Sequence, residues 1–342
     1  MKRRSAMLTG SAIGSVVSCA LLGMTSGSAV AARQDTAAAL AGTATTLVQA
    51  TPTVSYENEQ AEVFSVSVTS SQGTPTGTVT ITALNGSVAC TATLANGTAA
   101  CPAPPRWGFP ATVTVLATYS GDSSFAPSTS ATQAFTIVKD STSTSLSISP
   151  ATLTYGDEQV GGVTVVVTAP GVTSLFDNGP SGNVEITLPV SVVTGVESYN
   201  PVSWLMFGAL SYPAGVTEVT ATYLGNSNFL SSTSPAVTLR INKATTKTLL
   251  TLRATKITYG AEQAERLSVK VSPQYAGTPG GRVTIKHGTA VVCTITLAAG
   301  TGSCVLGART LPIGTDHLIA SYAGNADFTG SATAPVAVTV IR

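Results

Sequence analysis

The chain has 342 residues, with 17 basic and 16 acidic side chains for a formal net charge of +1; 10% of its residues are charged and 43% are hydrophobic. That balance excludes a strongly basic nucleic-acid binder, which needs clustered Lys and Arg to neutralise phosphates. It also excludes a highly charged disordered chain, and a long coiled coil built from Glu, Lys, Leu and Arg.

In chain order, Lys2, Arg3 and Arg4 precede an apolar, small-residue stretch over 7–24, and Ser28-Ala29-Val30-Ala31 supplies an A-x-A cleavage signal. Residues 1–31 therefore read as a secretory signal peptide. Two rival readings attach to the same segment. Val16-Val17-Ser18-Cys19 resembles a lipoprotein box that would acylate Cys19, but the apolar run continues past it as 20–24. Arg3-Arg4 fits a twin-arginine signal without its strong hydrophobic follow-up. No later segment has the roughly 18 uninterrupted apolar residues of a membrane span. The expectation is a secreted, extracellular chain, free or associated with the cell wall, with a lipid anchor at Cys19 as the alternative. Residues 32–42 read as a linker.

Beyond it, three anchors recur in the same order. The first is Tyr56-Glu57-Asn58-Glu59-Gln60, then Tyr155-Gly156-Asp157-Glu158-Gln159, then Tyr259-Gly260-Ala261-Glu262-Gln263. The second is Gly77-Thr78-Val79-Thr80-Ile81, with counterparts at Gly182-Asn183-Val184-Glu185-Ile186 and Gly281-Arg282-Val283-Thr284-Ile285. The third is Ala117-Thr118-Tyr119-Ser120-Gly121-Asp122 with Phe125, returning around Tyr223, Asn226 and Phe229 and again around Tyr322, Asn325 and Phe328. Co-linear repetition of this kind marks a tandem array of one structural unit.

Within a unit the apolar period is two. Phe64, Val66 and Val68 alternate with Ser65, Ser67 and Thr69, and Val113, Val115, Ala117 and Tyr119 alternate with Thr112, Thr114, Leu116 and Thr118. Half-buried antiparallel strands read this way. Asn85-Gly86, Asn96-Gly97 and Gly121-Asp122 supply turns. About seven strands in about 100 residues point to a two-sheet sandwich. The fold class expected is all-β: three tandem two-sheet sandwiches over 43–140, 141–244 and 245–342, which the resemblance given next makes immunoglobulin-like. The links between them, Asp140-Ser141-Thr142 and Asn242-Lys243-Ala244, are too short for a flexible tether.

The succession Tyr-Gly-x-x, G-x-V-T-I and A-T-Y-x-G-[DN]-x-x-F resembles the bacterial immunoglobulin-like domain repeats over 43–342. The resemblance implies spacers, stalks or adhesive modules of secreted and surface proteins, and no catalytic residues.

Cys90, Cys101, Cys293 and Cys304 remain once Cys19 is set aside, and each pair is separated by 11 positions across a hairpin at equivalent points of repeats 1 and 3. Two intra-domain disulfides, Cys90–Cys101 and Cys293–Cys304, are expected in an oxidising compartment. A zinc site would need further Cys or His ligands. Repeat 2 has Leu205 at the place of Cys101, within the bulky run Trp204-Leu205-Met206-Phe207, and is expected to substitute packing for the staple.

Chemistry is otherwise sparse. Only His287 and His317 are present, and alternation puts His317 on an outer face next to Asp316 without triad geometry. No phosphate loop, metal-ligand motif or marked carboxylate pair appears, so neither a cofactor nor a metal is expected. Asp122, Asn226 and Asn325 share a turn position that an Asx-turn explains better than calcium.

Three candidate partner surfaces stand out. Trp107 and Phe109 lie in a Pro-rich loop and could stack on sugars, or plug the end of the sandwich as Tyr212 and Leu311 would. Leu175 and Phe176 lie in an insertion of repeat 2, in the loop between its second and third strands. Lys247, Arg253, Arg266 and Lys270 point outward by alternation on adjacent strands of repeat 3, forming a basic face for anionic wall polymer. The charge is uneven: repeat 1 carries two basic and five acidic residues, repeat 2 two and six, repeat 3 nine and four. Self-association of acidic repeats 1 and 2 with basic repeat 3 is a further expectation. The chain ends on a strand with no sorting motif, so covalent wall anchoring is not expected. The leading functional reading is a non-enzymatic structural, spacer or adhesive protein at the bacterial cell surface or matrix. A carbohydrate or cell-wall polymer binding module is second, and an extracellular hydrolase third.

Overall fold

The computed structural model describes residues 39–170, 179–188, 192–196 and 202–342. The signal-peptide reading of 1–31, Cys19 with its anchor, and the loop residues Leu175 and Phe176 lie outside the described residues. Three β-sandwiches follow one another. The first contains β1 (Ala44–Gln49), β2 (Thr53–Ser55), β3 (Val63–Thr69), β4 (Thr78–Ala83), β5 (Val88–Thr93), β6 (Thr98–Pro102), β7 (Ala111–Tyr119), β8 (Ser128–Thr129) and β9 (Gln133–Val138). The second contains β10 (Ser143–Ser149), β11 (Thr152–Thr154), β12 (Gly162–Thr168), β13 (Gly182–Thr187), β14 (Val192–Val196), β15 (Val202–Met206), β16 (Gly215–Tyr223), β17 (Ser232–Thr233) and β18 (Val237–Asn242). The third contains β19 (Thr246–Leu252), β20 (Lys256–Thr258), β21 (Arg266–Pro273), β22 (Gly281–His287), β23 (Ala290–Leu297), β24 (Thr301–Val305), β25 (Gly314–Tyr322), β26 (Ser331–Ala332) and β27 (Val336–Ile341).

Each sandwich packs a three-stranded sheet, ordered β1-β3-β6 in the first, on a six-stranded sheet ordered β2-β9-β7-β4-β5 with β8 added to β7. Nine strands per unit exceed the seven expected because β2 and β8, of three and two residues, are too short to show alternation. All pairings are antiparallel except β2 with β9 and its two equivalents, which are parallel.

Alternation sets what is buried. Phe64, Val66 and Val68 of β3 face Val79 and Ile81 of β4, Val115, Ala117 and Tyr119 of β7, and Phe135 and Ile137 of β9, all buried. Burying each large apolar side chain stabilises the sandwich by about 1.5–3 kcal/mol. The tyrosine of the third anchor is held at its polar tip as well. Tyr119, Tyr223 and Tyr322 donate their hydroxyls to the carbonyls of Thr76, Ser181 and Gly280 at 2.6, 2.8 and 2.7 Å. Burial and the fixed hydrogen bond suit the neutral phenol, and desolvation pushes the Tyr223 hydroxyl up to about 12.

The turn after that tyrosine is an Asx-turn in all three units. Asp122 Oδ1 accepts the N–H groups of Ser124 and Phe125 at 2.8 Å, and Asn226 and Asn325 repeat the pattern. These bonds use the oxygen that a calcium ion would need. Thr76 also donates to the free Asp122 oxygen, and this set of donors holds the carboxyl well below the usual carboxylate range.

Candidate functional site

The first anchor folds into a one-turn 3-10 helix in each unit: Glu59–Ala61, Glu158–Val160 and Glu262–Ala264. Its glutamate is fully buried in all three. The carboxylate accepts the backbone N–H of Arg106, Leu210 or Arg309 at 3.1, 2.9 and 2.9 Å. Each of those donors has a left-handed backbone, with φ of 58, 59 and 58°. A side chain thus satisfies a loop N–H that the turn removes from any ladder. In the first unit Glu57 is itself left-handed at φ 66°, where the others have Gly156 and Gly260, and its carboxylate pairs with Arg106 Nε at 2.7 Å.

A second buried glutamate serves the turn between the first two strands. Glu62 accepts the N–H groups of Ala50 and Thr51, and Glu265 those of Arg253 and Ala254. The second sandwich has Pro150 at the place of Thr51, so one donor is missing. The carboxylate is missing too: Gly161 takes the place of Glu62, and a Cβ there would lie 2.9 Å from Leu153.

Each cysteine pair joins the two sheets of its sandwich. Cys90 of β5 is bonded to Cys101 of β6, and Cys293 of β23 to Cys304 of β24, with Cα separations of 6.4 and 6.6 Å. Register puts Val192 and Leu205 at the equivalent places of the second sandwich, both packed against its core. There Thr194 and Ser203 also hydrogen bond at 2.6 Å between β14 and β15.

Successive sandwiches meet through the same anchors. Asp140 already bridges Phe229, and Ala244 bridges Phe328, so Lys139 and Lys243 alone separate the last strand of one sandwich from the start of the next. Both lysines donate Nζ to a carbonyl of the next unit, Asn226 and Asn325, at 2.6 Å. Tyr56 meets Phe229 edge-on with centroids 5.6 Å apart, and Tyr155 meets Phe328 at 5.3 Å. At the second junction the Ala214 N–H is held by Asp327 at 3.0 Å.

The aromatic loop divides. Trp107 is half-buried, and its ring packs on Phe64 at 6.0 Å and Phe135 at 5.6 Å, as a plug at the end of the sandwich does. It does so one residue earlier than Tyr212 and Leu311 do, relative to the left-handed Arg106, Leu210 and Arg309. Phe109 is 72% exposed and lies parallel to Tyr56 at 6.5 Å, beside the first junction. A second exposed aromatic is Trp204. It is 63% exposed with Met206 and Val202 on the outer face of β15, while Leu205 turns inward. The alternation in Val202-Ser203-Trp204-Leu205-Met206 carried that signal.

Lys247 of β19, Arg253 just beyond it, and Arg266 and Lys270 of β21 are exposed on one sheet face, with Leu250, Leu267 and Val269 buried beneath. Arg266 Nε donates to Ser303 Oγ of β24 at 3.1 Å, and Thr251, Ser268 and Thr301 complete a shallow groove between Arg266 and Lys270. His317 is exposed, as alternation requires, whereas Asp316 is buried and binds His287 Nε2 at 2.9 Å, tying β25 to β22.

A family model described as bacterial Ig-like domain (group 3) matches residues 34–138 and 250–341. The chain belongs to this family. The second Ig-like sandwich falls between the two matched regions, and it is the unit without the cysteines and the Glu62-type carboxylate. Among solved structures, a tetra-tandem repeat from the extending region of a large adhesion protein is similar, with 20% identity over 86% of this chain and 74% of that one, at TM-score 0.45. Invasin, titled a bacterial integrin-binding protein, is 15% identical over 87% of this chain and 60% of that one, at TM-score 0.42. A structure concerning host cell surface retention of a 1.5-MDa bacterial ice-binding adhesin is 14% identical over 88% and 99%, at TM-score 0.32. A search of curated proteins finds no match.

The first and third Ig-like units sort their charges by depth. In the third, Glu262, Glu265 and Asp316 are buried and Asp327 is engaged at the junction, while all nine basic residues are exposed. In the first, Glu57, Glu59 and Glu62 are buried too. The basic surface of repeat 3 is therefore stronger than its net charge, and the acidity of repeat 1 is mostly internal.

Proposed function

We propose that this chain is an exported, non-enzymatic spacer or adhesive protein that presents its basic third sandwich to anionic polymer at the bacterial cell surface. The observation that carries this reading is the exposure of Lys247, Arg253, Arg266 and Lys270 on one face, in a unit whose acidic side chains are buried or engaged. A one-signed field of this kind attracts polyanions and weakens with salt. Sheet-bridging disulfides suit an oxidising compartment outside the cytoplasm. The test is retention of the chain on isolated cell walls across a salt series. Retention at low salt that falls as salt rises, and that is lost in Arg266→Glu with Lys270→Glu, supports the reading. Equal retention of that double variant, or none at low salt, overturns it.

The exposed Trp204 favours a second reading, a carbohydrate site in which the indole stacks on a sugar. Retention on neutral polysaccharide that ignores salt and disappears in Trp204→Ala would select it over the basic face.

A further inference from the structure

The outward faces of the first and third sandwiches are complementary. Four parts join successive sandwiches: the first two recur at both internal junctions, and the second junction adds the other two. A tyrosine of the first anchor packs edge-on against the phenylalanine of the next unit's third anchor, as in Tyr56–Phe229 and Tyr155–Phe328. The basic residue after the last strand, Lys139 or Lys243, reaches the carbonyl of Asn226 or Asn325. The residue after the tyrosine can sit tightly against the next unit: a Cβ on Gly156 would lie 2.2 Å from the Ala276 carbonyl. The residue immediately before the phenylalanine, Asp327 in the third unit, can accept an N–H from the preceding one.

The third sandwich carries the donor half of this set uncovered. Tyr259 is 42% exposed where Tyr56 is 3% exposed, a Cβ on Gly260 would meet nothing within 4 Å, and Arg342 follows β27 as Lys139 follows β9. The first sandwich carries the acceptor half. Phe125, 8% exposed against 1% and 2% for Phe229 and Phe328, closes the same Asx-turn, with the Asp122 carbonyl and exposed Ser124 at the places of Asn226 and Asn228.

We propose that the Tyr259 end of one copy docks on the Phe125 end of a second copy, repeating the junction already made twice within the chain. Such an interface is heterologous, and it propagates head to tail rather than closing on a two-fold axis. It is mainly apolar and hydrogen-bonded, because the acidic side chains of the first sandwich are mostly buried. It therefore survives salt that would release an anionic polymer from the basic face, so its failure and the failure of the proposed function are read separately.

Light scattering with sedimentation velocity on the secreted chain, over a concentration series at high salt, tests the proposal. The expected mass climbs past two copies with concentration. Tyr259→Ala and Ser124→Lys each block one end, and each alone should associate at least about tenfold more weakly, the loss expected when a central aromatic contact is truncated or mismatched. Mixed in equal amounts, they should stop at the mass of two copies, since one keeps its head and the other its tail. Both sites are exposed, and unchanged melting of the single variants verifies the fold; Arg342→Glu provides an independent block. A mass fixed at one copy into the millimolar range overturns the proposal, as does a dimer that both single variants retain.

Discussion

A fully buried glutamate in each sandwich looks costly until its donor is counted. Glu59 is shielded from water yet receives the Arg106 N–H, and desolvation pushes its carboxyl up, with backbone hydrogen bonds working in the opposite direction. A raised native pKa stabilises the fold below the unfolded carboxylate pKa, and that contribution is lost as pH rises through the native value. Glu59→Ala is expected to cost about 1–3 kcal/mol, because the Arg106 N–H loses the buried carboxylate that accepts it. Glu59→Gln keeps the acceptor, should cost less than Ala, and should flatten the stability profile between the carboxylate range and neutrality; urea unfolding across pH measures both. The glutamates were visible as repeated letters, but their role was not. A lone Glu in an alternating β sequence reads as solvent-facing, and its partner lies 47 residues away in sequence. In the bulky run around Leu205, size is no guide to burial: strand parity puts Trp204 outside while Leu205 turns inward.

Among elements, the hairpin between the fifth and sixth strands is where the sandwiches differ most. Two units close it with sulfur between sheets, and the middle one with Val192, Leu205 and a Thr194–Ser203 hydrogen bond. Spacing and alternation made the cysteine pairing and the Leu205 substitution legible from sequence. That the bond crosses between sheets needed the ladder order. Cys293→Ser with Cys304→Ser is expected to lose up to about 3 kcal/mol in denaturant unfolding. Cys293→Val with Cys304→Leu, copying the middle unit, should regain about 1–2 kcal/mol of that through buried methyl groups. Equal stability of the two double variants would remove the packing explanation. The paired loss of Glu62 and of a backbone donor in the middle unit, through Gly161 and Pro150, follows the same logic of local substitution.

For the molecule as a whole, the near-neutral charge conceals an ordering of charge by depth in the first and third sandwiches, and the repeated anchors serve two purposes at once. Tyr155 and Phe328 belong to motifs that specify their own sandwiches, and they also join neighbours. Sequence periodicity reveals the first role and is silent on the second, which depends on a linker of one residue. Gly156→Ala should separate the second and third sandwiches, because the added carbon falls 2.2 Å from the Ala276 carbonyl and the backbone sits at φ 88°. Calorimetry should show their unfolding split into distinct transitions with a loss of about 1–3 kcal/mol. Gly260→Ala has a similar φ of 85° but no neighbour within 4 Å, so it should bear the backbone strain alone and leave the transitions coupled.

The parallel ladder of β2 with β9, and its two equivalents, has a mechanical consequence. The chain enters Thr53–Ser55 at the same end of the ladder where Thr136–Val138 begins, and leaves at the opposite end. Tension between entry and exit therefore loads these hydrogen bonds in shear, all together, instead of peeling them singly. Should one sandwich yield, the sulfur bridge still locks the loop from Cys90 to Cys101 or from Cys293 to Cys304 out of the extension. The middle unit lacks that stop, so under load it would release the greatest fraction of its length.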